Sequence, residues 1–285
     1  TANLVPEWYV VLKRVLMESL SPTLILESTC DYVRASRSVD DAFDLFTESP
    51  RSLDILGRFS SGSPFLTQVL LRDTDSLPFL TQHRRITELK SREEFCEEAG
   101  PILDSDSQTA LVKLRLYQRR EQLRIGMCDI FGLLSLQYIT LQLSLLADAM
   151  VRLCLELAMK DSGATEPPFA VLALGKHGGE ELNYSSDIDL VLIAEKIDRR
   201  TQTIAQRMVE GLNEHLQTGF LYRVDLRLRP WGNAGPIVTT TKSWIDYLKN
   251  HAQLWEKQAL LKARFVTGAA DVAERMLSAI PIILY

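Results

Sequence analysis

The stretch Ala173–Leu192, reading ALGKHGGEELNYSSDIDLVL, is the part of this chain with the fewest ways to fold. It lies across two apolar runs of strand length, Phe169–Leu174 and Ile188–Ala194. Between them Gly175-Lys176-His177-Gly178-Gly179 reads as a glycine turn, whose bare backbone N–H groups can approach an anion. Asp187 and Asp189 open the second run one residue apart. On a strand, residues two apart share a face, so both carboxylates project to the same side. Like charges held that close repel, and a cation or a shared proton is the usual compensation. Either piece alone fits a plain turn or a solvated strand end. Their order on one strand-turn-strand unit points instead to nucleotidyl transfer.

A third carboxylate lies downstream. Leu221–Arg229 alternates strictly, with Tyr222, Val224, Leu226 and Leu228 on one side and Arg223, Asp225, Arg227 and Arg229 on the other. The alternation predicts a strand. Set beside Asp187 and Asp189, it would supply the third oxygen donor that a two-ion Mg²⁺ site needs, with no His or Cys ligand. Arg223, Arg227 and Arg229 would then offer planar forks to phosphate oxygens. The plainer alternative is a solvated face with internal ion pairs. Ser185 and Ser186 could hydrogen-bond a phosphate or cap a turn, and Lys176 could touch a phosphate or face water. His177 reads as a surface turn residue. Trp255, Lys257, Lys262 and Arg264 fall on one predicted helix, Leu254–Arg264, with Trp255 in the core and Lys262 and Arg264 within reach of a phosphate.

The rest of the chain is helical in pattern. Residues 1–107 read as short helices punctuated by Pro, Gly and Ser, including Val5–Leu20, a start at Ser38, Arg51–Phe59, Pro64–Arg72 and Thr87–Ala99. Asp106–Arg124 is predicted as an amphipathic helix whose basic residues, Lys113, Arg115, Arg119, Arg120 and Arg124, form a solvated face. Gly132 and Ser135 mark a break before a long buried helix over Leu136–Lys160. A linker follows at 161–168. Beyond the two apolar runs, Gln202–Leu216 is a helix, Ile237–Thr240 a short strand, and Ser243 the cap of a further helix. The expected organisation is a helical region over 1–107 and a second domain over 108–285. That domain comprises long helices at 108–160, a sheet at 169–240 and helices at 243–285. The fold class is α+β.

Composition narrows the functional classes. A formal net charge of -5 over 285 residues leaves no general nucleic-acid footprint. Cys30, Cys96, Cys128 and Cys154 are widely spaced, which fits reduced thiols in a cytoplasmic protein. Thr1-Ala2-Asn3 lacks the basic start of a signal peptide, and the apolar stretch Phe131–Met159 carries Gln137, Gln142, Asp148, Arg152 and Glu156, as a core helix does and a membrane span does not. The absence of an initiating Met and the apolar ending Ile282-Ile283-Leu284-Tyr285 read as a piece cut from a longer protein.

The motifs GKHGGEELNYSSDIDLVLI, GFLYRVDLRLRPWGNAGPIV and LWEKQALLKAR resemble the bacterial glutamine synthetase adenylyltransferases, and SGSPFLTQVLLRD and LRLYQRREQLRIGMCDIFGL resemble that family's helical region. The resemblance covers most of 54–270. It implies a polymerase-β-like nucleotidyltransferase domain that regulates glutamine synthetase by adding AMP to a tyrosine or removing it. The wording of the motifs is closer to the adenylyl-removing half, which releases AMP by phosphorolysis to ADP. Carried over by residue, Asp187, Asp189 and Asp225 would be catalytic and hold Mg²⁺, as two ions. Gly175, Lys176, Gly178, Gly179, Ser185, Ser186, Arg227 and Arg229 would bind nucleotide or phosphate, with ATP, ADP and phosphate as substrates or products. Ala173 and His177 stand where the family often has Gly and Leu. The implied partners are glutamine synthetase and a nitrogen-signal regulatory protein, with no nucleic acid and no membrane. Two other readings keep the same carboxylates: a nucleotidyltransferase of this fold with another target, and a nucleotide-sensing module without turnover.

Overall fold

A computed structural model describes residues 5–82, 85–214 and 219–284. The chain divides into two compact units, and neither ends at 107/108. One comprises 1–89 with 119–139, the other 90–118 with 140–285. The single expected boundary misses this division because two long helices contribute to both units. At 24 and 26 residues they exceed 30 Å, about the diameter of a small domain.

The first unit is all helical: α1 (Glu7–Glu18), α2 (Pro22–Ala35), α3 (Val39–Glu48), α4 (Arg51–Gly62), α5 (Pro64–Arg72) and α6 (Ser76–Gln82). Ser38 and Ser63 start α3 and α5 by accepting the N–H of Asp41 and Leu66. α1 passes so close to α4 that a Cβ on Gly57 would come within 2.4 Å of Val15. α7 (Arg92–Ala99) starts later than the predicted Thr87, at a Ser91/Glu94 capping box.

α8 (Ser107–Ile130) corrects the expected solvated basic face. Residues 121–128 are buried without a break, so this half has no exposed stripe. Arg124 is fully buried, donating to Glu121 at 2.7 Å and to the carbonyls of Ile86 and Glu88 at 3.0 and 2.9 Å. Arg115 is equally buried and donates to the Glu214 carbonyl at 3.1 Å. These guanidinium groups satisfy main-chain oxygens inside the fold, which the charge pattern alone does not reveal. α9 (Leu136–Asp161) is long and apolar enough to cross a membrane, yet 72% of its most apolar window is buried inside the protein. Cys96, Cys128 and Cys154 are buried and Cys30 is exposed; burial pushes the Cys96 thiol up to about 11 and Cys154 to about 12.

The second unit carries the sheet and establishes the α+β class. After β1 (Ala170–Leu174), the glycine turn winds into one helical turn, α10 (Gly175–Gly178), and the chain returns as β2 (Ile188–Ala194), antiparallel to β1. α11 (Arg199–Asn213) follows; the predicted end of this helix at Leu216 lies outside the described residues. β3 (Val224–Asp225) and β4 (Val238–Thr240) both pair with the same edge of β2 in parallel, one at its start and one at its end. α12 (Thr241–Asn250) is capped by Thr240, which accepts the N–H of Ser243; Ser243 is not itself the cap. α13 (Leu254–Ala259) and a short 3₁₀ turn lead to β5 (Arg264–Gly268), antiparallel to β1, and α14 (Ala270–Leu284) closes the described chain. Leu172, Leu174, Val191 and Ile193 on one sheet face pack with Trp244 and Leu248 of α12 and Met276 of α14.

The predicted strand Leu221–Arg229 shrinks to two residues. Asp225 Oδ1 accepts the Arg227 N–H at 2.8 Å, a side-chain-to-backbone turn that takes this donor from the sheet ladder. The predicted helix Leu254–Arg264 likewise ends early, at Ala259, and Arg264 begins a strand.

Candidate active site

β2 and β3 pair with Ile188 opposite Val224 and Asp189 opposite Asp225. Neighbouring strands lie about 4.8 Å apart and opposed side chains share a face, so this register sets two carboxylates side by side. Burial pushes the Asp189 carboxyl above its ordinary value, and the Asp225 and Asp187 charges push it further, against His177 and Arg227. Asp225 goes the other way. Hydrogen bonds from Arg227 hold it low, with the Arg227 Nε 2.8 Å from Oδ2. Asp187 is exposed and accepts from Arg223 Nε at 2.6 Å, while Arg223 also donates to the Ser185 carbonyl at 3.1 Å.

Among the described residues, no group of three or more His, Cys, Asp or Glu is placed to hold a metal ion, and Asp187 and Asp225 each face an arginine. The donor chemistry still fits Mg²⁺, which takes carboxylate oxygens. Burial and the Asp225 and Asp187 charges outweigh the opposing pull of His177 and Arg227 at Asp189, and the Arg223 and Arg227 side chains are 59% and 70% exposed, where water and salt weaken ion pairs.

The glycine turn is built for close packing. Gly175 has φ of 57°, and a Cβ there would lie 2.4 Å from Asp189 Oδ2, so the turn abuts the carboxylate directly. A Cβ on Gly178 would strike the Lys262 carbonyl at 2.1 Å, and one on Gly179 the Lys262 side chain at 2.9 Å. Lys176 is exposed on this turn. Ser186 donates to Asn183 Oδ1 at 2.8 Å and accepts the Asn183 N–H at 3.2 Å, which is turn capping; Ser185 is exposed beside it.

Four expectations are corrected. Arg229 is buried and donates to the carbonyls of Leu226, Gly235 and Asn233, so it ties the loop after β3 and does not line a phosphate path. His177 is fully buried, with Nε2 2.7 Å from Asp148 Oδ1. Arg264 donates to the same Asp148 and to the His177 carbonyl, and so lies inward. Trp255 is 57% exposed, outside the core. Lys262 stays at the surface, paired with Glu181 at 2.8 Å.

A sequence profile of the family described as glutamate-ammonia ligase adenylyltransferase matches residues 53–279, a span that contains every residue of this site. The chain belongs to that family. Similar curated proteins are each named bifunctional glutamine synthetase adenylyltransferase/adenylyl-removing enzyme. The one from Methylococcus capsulatus is 31% identical, over 82% of this chain and 28% of its own length. That from Thioalkalivibrio sulfidiphilus is 30% identical over 89% and 29%. That from Aromatoleum aromaticum is 37% identical over 60% and 19%. The chain thus spans less than a third of the length of the relatives it matches.

One group of this adenylyltransferase-family site escapes sequence reading. Arg223 is expected, with Arg227 and Arg229, to face phosphate, and the structure sets it on Asp187. Asp148 is legible only as a lone carboxylate in the apolar α9, and a buried charge demands counter-charges. Its partners, 29 and 116 residues away, were not visible.

Proposed function

We propose that this chain catalyses AMP transfer at a tyrosyl oxygen of glutamine synthetase, in the removing direction. The observation that carries the reading is the Asp189–Asp225 register with Gly175 against Asp189, in a chain of the adenylyltransferase family. The relatives' names supply the protein substrate. In the removing direction an oxygen of hydrogen phosphate bonds to the α-phosphorus of adenylyl-tyrosine. The bond to the tyrosyl oxygen breaks, ADP forms, and the proton ends on the tyrosine.

Asp189 and Asp225, with Asp187 at the rim, would hold Mg²⁺, as two ions. Bound there, Mg²⁺ would supply charge neutralisation on the phosphoryl oxygens and stabilise the leaving tyrosyl oxygen. Arg223 and Arg227 rest on Asp187 and Asp225, and with those carboxylates on Mg²⁺ both guanidinium groups would be free to bind phosphate oxygens. Gly175 keeps backbone close to Asp189 and leaves no room for a side chain. Two arginines at the rim favour a phosphate dianion as nucleophile, which supports removal over attachment.

The test offers adenylylated glutamine synthetase, Mg²⁺ and phosphate to the protein and follows ADP; a parallel reaction offers unmodified glutamine synthetase and labelled ATP. Release of ADP in the first is expected. Label transfer in the second with no ADP in the first would reverse the direction, and a different protein target would leave both silent.

A further inference from the structure

The loop between β3 and β4 carries a large aromatic residue that the acidic site does not use and that packing covers only in part. Trp231 has φ 64° and ψ 15°, a left-handed conformation rare for a bulky side chain, and it is 58% exposed. Strain of this kind persists where the surroundings over-determine it, and it gathers at ligand clamps. Here the loop is tied by Arg229, buried against three loop carbonyls. The indole rests on Tyr247 and His251 of the 241–251 segment, with ring centroids 5.0 Å away in each case. Tyr247 is in turn fixed by donating to Glu256 at 2.7 Å. A large ring is therefore held rigidly while much of it faces water. Its neighbour Gly232 sits against the Arg227 carbonyl, where a Cβ would lie 3.6 Å away, and Arg227 is the residue on Asp225.

We propose that Trp231 is a stacking platform for a flat aromatic ring of the substrate, beside the acidic site. The proposal rests on the AMP-transfer reading above, which offers two such rings: the adenine of the nucleotide and the phenol of the modified tyrosine. Indole faces suit either, because stacking needs only a π-face.

Trp231→Gly removes the ring and suits the left-handed backbone, so folding is preserved and a melting curve verifies it. Trp231→Phe keeps a ring. Calorimetry in Mg²⁺ compares ADP with inorganic pyrophosphate, which has no base, and kinetics give the half-saturating concentration of adenylylated glutamine synthetase. If adenine stacks, the Gly variant binds ADP about tenfold more weakly with pyrophosphate unchanged, and Phe restores most of the loss. If the tyrosyl ring stacks, ADP binding holds and the half-saturating concentration rises by a similar factor. Both quantities unchanged in the Gly variant, with wild type binding ADP and turning over normally, would overturn the platform alone. A wild-type protein that neither binds ADP nor acts on the modified synthetase would overturn the platform and the underlying function together.

Discussion

Asp189 concentrates the electrostatic tension of the molecule. Its carboxyl is raised above the unfolded value of 3.8, so the folded protein binds that proton more tightly than the unfolded chain does. Its contribution to stability is therefore fully present below 3.8 and is lost as pH rises through the folded value. At neutral pH Asp189→Asn should raise the melting temperature of the ion-free protein by about 2–4 °C, the shift that roughly 1 kcal/mol gives a chain of this size. The gain should shrink in acid, and the mutant should lose the Mg²⁺-dependent rise in melting temperature expected of wild type. Gly178→Ala should act in the opposite sense. Its methyl would meet main chain at 2.1 Å, which cannot yield as a flexible side chain would, so a loss of about 1–3 kcal/mol or more is expected in denaturant unfolding. The closeness of Asp187 and Asp189 was legible in local sequence, although Asp187 lies just before β2, whereas Asp225 meets Asp189 only through the β2–β3 register. The purpose of Gly178 was not, because Lys262 is brought over it only by the fold.

At the scale of elements, Asp148 of α9 joins α10 to β5. Burial raises its carboxyl, but hydrogen bonds from His177 and Arg264 outweigh burial and hold it below the ordinary value. That stability is present above the unfolded value and is lost as pH falls through the folded one. Asp148→Ala leaves the Arg264 charge and a buried imidazole without their shared partner. A loss of about 3–5 kcal/mol is expected, read by denaturant unfolding at pH 7. Its acid limb should be flatter than that of wild type. The element types in this region were largely legible: β1 and β2 are apolar runs of strand length, α9 is a long apolar run, and α11 keeps one apolar face at helical spacing. The extent of β3 was not, because the alternation of Leu221–Arg229 continues past the point where Asp225 captures the Arg227 N–H and Arg229 turns inward. Periodicity records which residues are apolar; it does not record which polar group wins a backbone donor.

For the whole molecule, α8 and α9 each contribute to both compact units, which is why one break in the sequence could not describe the organisation. The basic residues of α8 misled for a related reason. Arg115 and Arg124 look like surface charges until the carbonyls they satisfy are known. The central claim is that the carboxylates on β2 and β3 form one AMP-transfer site. Its most direct measurement is ADP release from adenylylated glutamine synthetase with phosphate and Mg²⁺, comparing wild type with Asp189→Asn after both are shown to be folded. The account predicts ADP from wild type and a loss of at least about a hundredfold in the variant, the size expected when charge stabilisation in the transition state is removed. Release of ADP by Asp189→Asn at the wild-type rate would contradict it.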